Sequence, residues 1–277
     1  MSVNTTAEEL SFLPINGAHA IVEMALFVSF TPAFSLNTIK KLVLLGDDLK
    51  NSLPKANHVN RFELKIEDDQ HTSFSDKVLG GIELQKINED GSIGWMLRAS
   101  ENSISVHCLN YTQWASVFAE AFNYLKVAFK RLEGSDSLIS SVGIMYVDRF
   151  VCNKDPSTSN LSELFQEESD WVFKGAFNSK NKLWHNHIGW YEDLGHMSCL
   201  NQLKTSASYV NINNNQKLVV TVDHSAIISG ESNDFKEDGG SCEKLEEIMN
   251  KLHGMNKKVL GRLLTEQVSA RINLGGL

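Results

Sequence analysis

The spacing of hydrophobic positions changes along the chain from a period of two to one of three to four, and does so twice. Ile21 to Phe30 (IVEMALFVSF) is an apolar, β-prone run and predicts a strand. Ser35 or Asn37 can cap a helix behind it, with Ile39, Leu42, Val43, Leu45 and Leu49 on one face and with Pro54 and Asn57 at its exit. Arg61 to Ile66 (RFELKI) alternates as a half-buried strand should, and Ile82, Leu84 and Ile87 continue in the next. Asn88-Glu-Asp-Gly91 and Ser100-Glu-Asn-Ser103 are turn signals on either side of a strand with Trp95 and Leu97; Ile104, Val106 and Cys108 alternate after them. Thr112 then predicts the N-cap of a helix over Gln113 to Leu132, whose Trp114, Val117, Phe118, Ala121, Leu125, Ala128, Phe129 and Leu132 recur at steps of three and four, with Gly134 where a C-terminal cap belongs.

A second round follows. Leu138 to Val151 predicts a long strand and Asn160 to Glu167 a short helix. Leu183 to Tyr191, Leu200 to Ile212 and Leu218 to Ile228 predict three further strands, the last two joined by a turn at Asn213-Asn-Asn215. A loop from Ser229 to Gly240 leads to a final helix capped by Ser241, with Glu243 near its positive end. Its apolar face holds Leu245, Ile248, Met249, Leu252, Val259, Leu260, Leu263 and Leu264; it runs to Ile272, with a break expected near Gly254. The expectation is an α+β protein of two similar halves, 1–134 and 135–277, packed as one unit. Each half is a curved antiparallel sheet covered by a long C-terminal helix, because a sheet with one apolar face needs such a cover. The halves share a pattern and not a sequence.

Composition narrows the classes of function. Hydrophobic residues make up 42% and charged residues 22% of the 277, an ordinary globular balance. The formal charge is −8, and the basic residues are scattered. Nucleic-acid binding needs a basic stripe that displaces counterions, so that class is disfavoured. Met1 to Leu10 has neither the basic start nor the apolar core of a signal peptide. Ile21 to Phe30 is too short to span a bilayer. Cysteines stand alone at 108, 152, 199 and 242, without zinc-module spacing, and read as buried or free thiols of a cytoplasmic protein.

Two places carry candidate chemistry. His185 and His187, in Trp184-His185-Asn-His187-Ile-Gly-Trp190, share one face of a strand at Cα positions about 7 Å apart, a spacing that can hold a metal ion. A third ligand could come from Glu192, Asp193, His196 or Cys199; the bland alternative is two histidines facing solvent opposite Trp184, Ile188 and Trp190. Tyr146, Asp148 and Arg149 lie in an apolar strand at the junction of the halves, where Arg149 could hold an anion. The alternative there is a structural ion pair or hydrogen bonds that pin the halves together. Tyr111, Trp114 and Phe118 suit core packing better than a ligand cage, since Trp114 and Phe118 are one helical turn apart. His107 cannot serve Cys108, because neighbours on a strand point to opposite faces, and no nucleophile elbow, P-loop or dinucleotide fingerprint is present.

Several motifs resemble a large, sporadically distributed and functionally uncharacterised family of bacterial proteins. They are the acidic residue in the early strand (Ile21-Val-Glu23), Tyr111-x-x-Trp114-x-x-x-Phe118 opening a helix, and Ile144-Met-Tyr146-Val-Asp148-Arg149 after that helix, similar to Leu-Arg-Tyr-Ile-Asn-Arg. A strand closing on Asp223 and a final helix with Leu252-His253 and Thr265 complete the set, which spans nearly the whole chain. Met145 stands where Arg is usual, and Asp148 where Asn is usual. The resemblance implies no activity and no cofactor. Patchy distribution implies an accessory factor, and the expected function is a non-enzymatic protein that engages a protein partner as an immunity, antitoxin-like or phage-defence factor. The alternative is an enzyme or a protein that binds a small molecule or metal in the cleft between the halves. Exposed sheet edges also suit a homodimer.

Overall fold

The computed structural model describes residues 10–61, 64–68, 71–74, 78–179, 182–235 and 241–275. The first strands are β1 (Phe12–Pro14) and β2 (Ile21–Thr31), followed by α1 (Leu36–Val43) and α2 (Leu45–Asp48). Ser35 caps α1, its hydroxyl accepting from the Thr38 amide at 3.1 Å. Next come β3 (Lys55–Arg61), β4 (Leu64–Asp68), β5 (His71–Phe74), β6 (Val78–Ile87), β7 (Ile93–Ser100) and β8 (Ser103–Cys108), and then α3 (Trp114–Arg131). The chain continues with β9 (Leu138–Cys152), β10 (Trp184–Leu194), β11 (Met197–Ile212), β12 (Asn215–Ser229), α4 (Ser241–Leu263) and α5 (Glu266–Arg271). This is an α+β protein with a large antiparallel sheet and few helices.

Ten strands form that sheet, in the order β10-β11-β12-β9-β2-β8-β7-β6-β3, with β1 added on β9; β4 and β5 form a separate pair. Residues directly opposite one another share a face. Leu84, Leu97, Val106, Leu26, Ile144 and Ala226 therefore make one continuous buried row across six strands. Helix α3 packs over β8, and α4 over β9 and β12, closing this apolar face. The β11–β12 hairpin turns on Asn213 and Asn214, both with positive φ (50° and 63°), the left-handed pair that a tight hairpin needs.

Several boundaries differ from expectation. Asn57 lies inside β3, and the strand expected over Arg61 to Ile66 spans the end of β3 and the start of β4, with residues 62–63 outside the described set. The short helix expected at Asn160 to Glu167 is a single 3-10 turn, Leu161–Glu163, capped by Asn160. The last helix runs through Gly254 unbroken and ends at Leu263, nine residues short of Ile272. Gln166 terminates it by donating its Nε2 to the Gly261 and Leu264 carbonyls (3.0 and 2.7 Å), and Thr265 then caps α5. Strand β1 had no periodicity to reveal it.

Gly81 is required by close approach. A Cβ there would stand 2.2 Å from the Ala99 carbonyl oxygen and 2.7 Å from Ser100 Cα, beside the register shift against β3 where Val59 pairs with Gly81 and Asn60 with Leu79, leaving Gly80 over. Both neighbours are backbone, so the strands must part. Gly81→Ala is expected to cost about 2–3 kcal/mol, read as a lower urea midpoint with an unchanged slope.

Candidate functional site

The buried face is not apolar throughout. On β9 the inward positions read Val142, Ile144, Tyr146, Asp148, Phe150 and Cys152, and on β12 Val220, Val222, His224, Ala226 and Ile228. On β11 Asn201 sits between Cys199 and Leu203, and on α4 Asn256 lies between Leu252 and Leu260. These polar residues fall at the seam between two hydrophobic clusters. One holds Tyr146, Cys199, Ala226 and Leu252; the other holds Phe150, Leu203, Val222 and Leu260. A polar layer thus crosses the core where burial of unsatisfied groups is most costly.

Part of the layer is satisfied internally. His224 Nδ1 lies 2.9 Å from Asn256 Oδ1, and its Nε2 lies 3.2 Å from Asn201 Oδ1. Burial pushes the imidazole down to about 4, against the upward pull of the Asn256 bond, so the ring is neutral at pH 7 and has one proton to give. With that proton on Nδ1 it donates to Asn256, and Nε2 accepts from the Asn201 amide turned to present its N–H. Tyr146 Oη lies 2.8 Å from His253 Nδ1. Burial foremost, and then the charge of Lys257, lowers His253 to about 4. Burial also raises Tyr146 far above the usual phenol range, with Tyr111 and Asp148 adding to the rise. The phenol therefore keeps its proton and can donate it to the neutral imidazole. His253 stacks on Trp114 with ring centroids 4.1 Å apart and planes within 8°, and Trp114 Nε1 donates to Asn250 Oδ1 at 2.9 Å.

Asp148 is different. It is 2% exposed, and among the described residues no side chain hydrogen-bonds or ion-pairs with its carboxyl. Burial alone raises it from 3.8 to about 7. The carboxyl lines a cavity of about 460 Å³ between the start of α3 and the middle of α4, floored by β9. Around it stand Tyr111, Trp114, Tyr146, His253, Asn256 and His19. His19 Nδ1 is buried with no hydrogen-bond partner among the described residues. Tyr111 meets His19 and Tyr146 edge-on, at 5.6 and 6.3 Å between ring centroids. Lys257 and the C-terminal residues Ile272 to Leu274 also line the cavity. The volume is that of a small-molecule site, and aromatic walls with a few convergent polar groups are its usual lining.

Strand parity separates the residues singled out in the sequence. Tyr146 and Asp148 face the cavity, while Arg149 points through the opposite face of the sheet. There it adds to the lowering of Glu23, whose main cause is the 2.7 Å contact with His107. Asp148 and Arg149 do not form an ion pair. His185 and His187 are exposed on one side of the edge strand β10, opposite Ser206 and Lys204 of β11; their rows run on through β12 to Arg149 and Val147 of β9, so they lie three strands from Tyr146 and Asp148 and on the other face of the sheet. Among the described residues, no three His, Cys, Asp or Glu side chains gather closely enough to hold a metal ion. The four cysteines are free thiols; burial foremost raises Cys108 and Cys199 to about 11, which leaves them unreactive. Sequence reasoning placed Trp114 in the core and missed His19, Asn201 and Asn256.

The fold and the cavity define an α+β protein with an internal polar site over one face of a large antiparallel sheet. No family model matches the chain, and no curated protein does. Among solved structures, the di-domain ARO/CYC StfQ from the steffimycin biosynthetic pathway is similar at 10% identity. The alignment covers 87% of this chain and 95% of that one, with a TM-score of 0.19, a level from which nothing about fold or function follows. Among the described residues no helix is long and apolar enough to cross a membrane.

Proposed function

We propose that the protein binds a small molecule in the cavity between α3 and α4. One observation carries this reading: Asp148 is buried at the cavity wall with no partner among the described residues. An uncompensated buried carboxyl destabilises a fold, and such costs persist at sites kept for function. The aromatic lining supplies the apolar contact that a flat ligand needs, and the stacked Trp114–His253 pair gives it a rigid wall.

Fragment binding by ligand-observed NMR tests the reading. Flat ring fragments are expected to bind the full chain and to weaken about tenfold or more in Trp114→Ala, which removes one wall of the cavity. Fragments that bind equally to the wild type and to this variant, or none that bind at all, would count against it.

We further propose that the chain is built as two similar halves, 1–134 and 135–277. What supports this is the strand order, in which β2-β8-β7-β6 runs out from the centre on one side and β9-β12-β11-β10 on the other. Each run is followed by a long helix. The second half has only 3-10 turns where the first has α1 and α2. The cavity then lies where the helix of one half meets that of the other. The reading as an immunity or antitoxin-like protein with a protein partner rests on the family resemblance alone.

A further inference from the structure

We infer that the occupant of this cavity carries a protonated nitrogen, held against the Asp148 carboxylate among the rings of Tyr111, Trp114 and Tyr146. This rests on the cavity being a ligand site and adds the chemical class of the ligand.

Three observations lead there. First, Asp148 lacks a cation of its own. Lys257 lines the same cavity, but among the described residues no ion pair joins it to Asp148, and burial alone accounts for the raised carboxyl. A ligand that brings the missing cation recovers the Coulombic attraction for which the fold has already met the cost of burial. Second, the walls are rings, and the faces of Trp and Tyr attract a cation where water is excluded. Third, the neighbouring polar rings are occupied: Tyr146 with His253, and His224 with Asn256 and Asn201. Asp148 and His19 Nδ1 are left facing the cavity or buried without a partner. A neutral ligand would instead take a hydrogen bond from the protonated carboxyl, and the two alternatives differ in sign with pH. A cation binds the ionised form, so its affinity rises with pH; an acceptor binds the protonated form, so its affinity falls. With the free carboxyl at about 7, a cation should bind about tenfold tighter at pH 8 than at pH 6.

The groups facing Asp148 from the surrounding elements are His19 from the turn before β2, Tyr111 ahead of α3, Tyr146 on β9, and His253 and Lys257 on α4. His253 is neutral across this range, with His224 behind Asn256 likewise. His19→Gln removes the remaining imidazole and is the control for the pH profile.

Calorimetric titration of the full chain with phenethylammonium, its neutral isostere 2-phenylethanol and the anion phenylacetate tests the inference. Phenethylammonium is expected to bind tightest, to gain about tenfold from pH 6 to 8 in both the wild type and His19→Gln, and to lose at least about tenfold in Asp148→Asn. Equal or tighter binding of 2-phenylethanol or phenylacetate overturns the inference, as does ammonium binding unchanged in Asp148→Asn. If either of those competitors binds and is lost in Trp114→Ala, the cavity stands as a ligand site and only the charge class fails. If none of the three probes binds, the inference and the cavity reading fail together.

Discussion

The Asp148→Asn variant is expected to be more stable than the wild type at pH 8, by roughly 2–4 kcal/mol, and nearly equal to it at pH 4. Unfolded, the carboxyl titrates near its ordinary 3.8; folded, burial holds it at about 7. The native state therefore binds more protons than the unfolded state between these values, and stability is lost as pH rises through that window. Below about 4 both states are protonated and the residue costs nothing. Above about 7 the full difference of roughly 4 kcal/mol weighs against folding. Asparagine has nearly the same shape and no charge, and gives back a part of this by burying its amide. Urea unfolding of both proteins from pH 4 to 8 checks the result. The gap between them should widen by about 2–3 kcal/mol from pH 5 to 8, and a variant less stable at pH 8 would show that some group in the fold compensates Asp148. Stability gained at the expense of ligand binding is the usual signature of a residue kept for function.

His224→Ala is expected to cost about 3–5 kcal/mol at pH 7. It leaves a void beside Leu203 and strands the amides of Asn201 and Asn256, which the imidazole joins across the core. The cost should shrink in acid. The wild-type imidazole is held neutral, at about 4 against an ordinary 6.5, so stability is present above about 6.5 and is lost as pH falls toward 4. This slope runs opposite to that of Asp148 over the same range. His253, also held at about 4, adds a second acid slope, so Asp148 offsets about half of the loss and wild-type stability should fall by only about 1–2 kcal/mol from pH 7 to pH 5. In Asp148→Asn the slopes of the two histidines stand without that offset, and about 4 kcal/mol should disappear between pH 7 and pH 5. A steep acid loss in the wild type, with none added in the variant, would contradict this opposition.

Much of the fold follows from periodicity. The alternation in β9, β11 and β12 and the stripes of α3 and α4 mark the elements that bury the largest apolar faces, and those elements sit within a few residues of their expected bounds, except that α4 stops at Leu263 and not at Ile272. Short or exposed elements leave no period to follow: β1 has only three residues, and β3 is mostly exposed. The end of α4 depends on Gln166, a residue about a hundred positions away, which no local pattern can announce. The site was half legible. Asp148 and Tyr146 drew attention because a carboxyl in an apolar strand must be answered for. The same reasoning applied to every inward position would have found His224 between Val222 and Ala226, Asn201 between Cys199 and Leu203, and Asn256 four residues after Leu252. Each breaks an apolar face at its own period. What periodicity could not supply was that these four breaks align across three strands and a helix. It also could not supply the role of Trp114, whose helical spacing fits a core residue and a cavity wall equally well.

Asp148 stands buried, without a partner among the described residues, until a ligand supplies one. A carbon-13 NMR titration of its side-chain carboxyl, in the free protein and with phenethylammonium added, measures this directly. The predicted midpoint is about 7 in the free protein and lower once the cation is bound. A midpoint in the ordinary carboxylate range in the free protein would contradict the account.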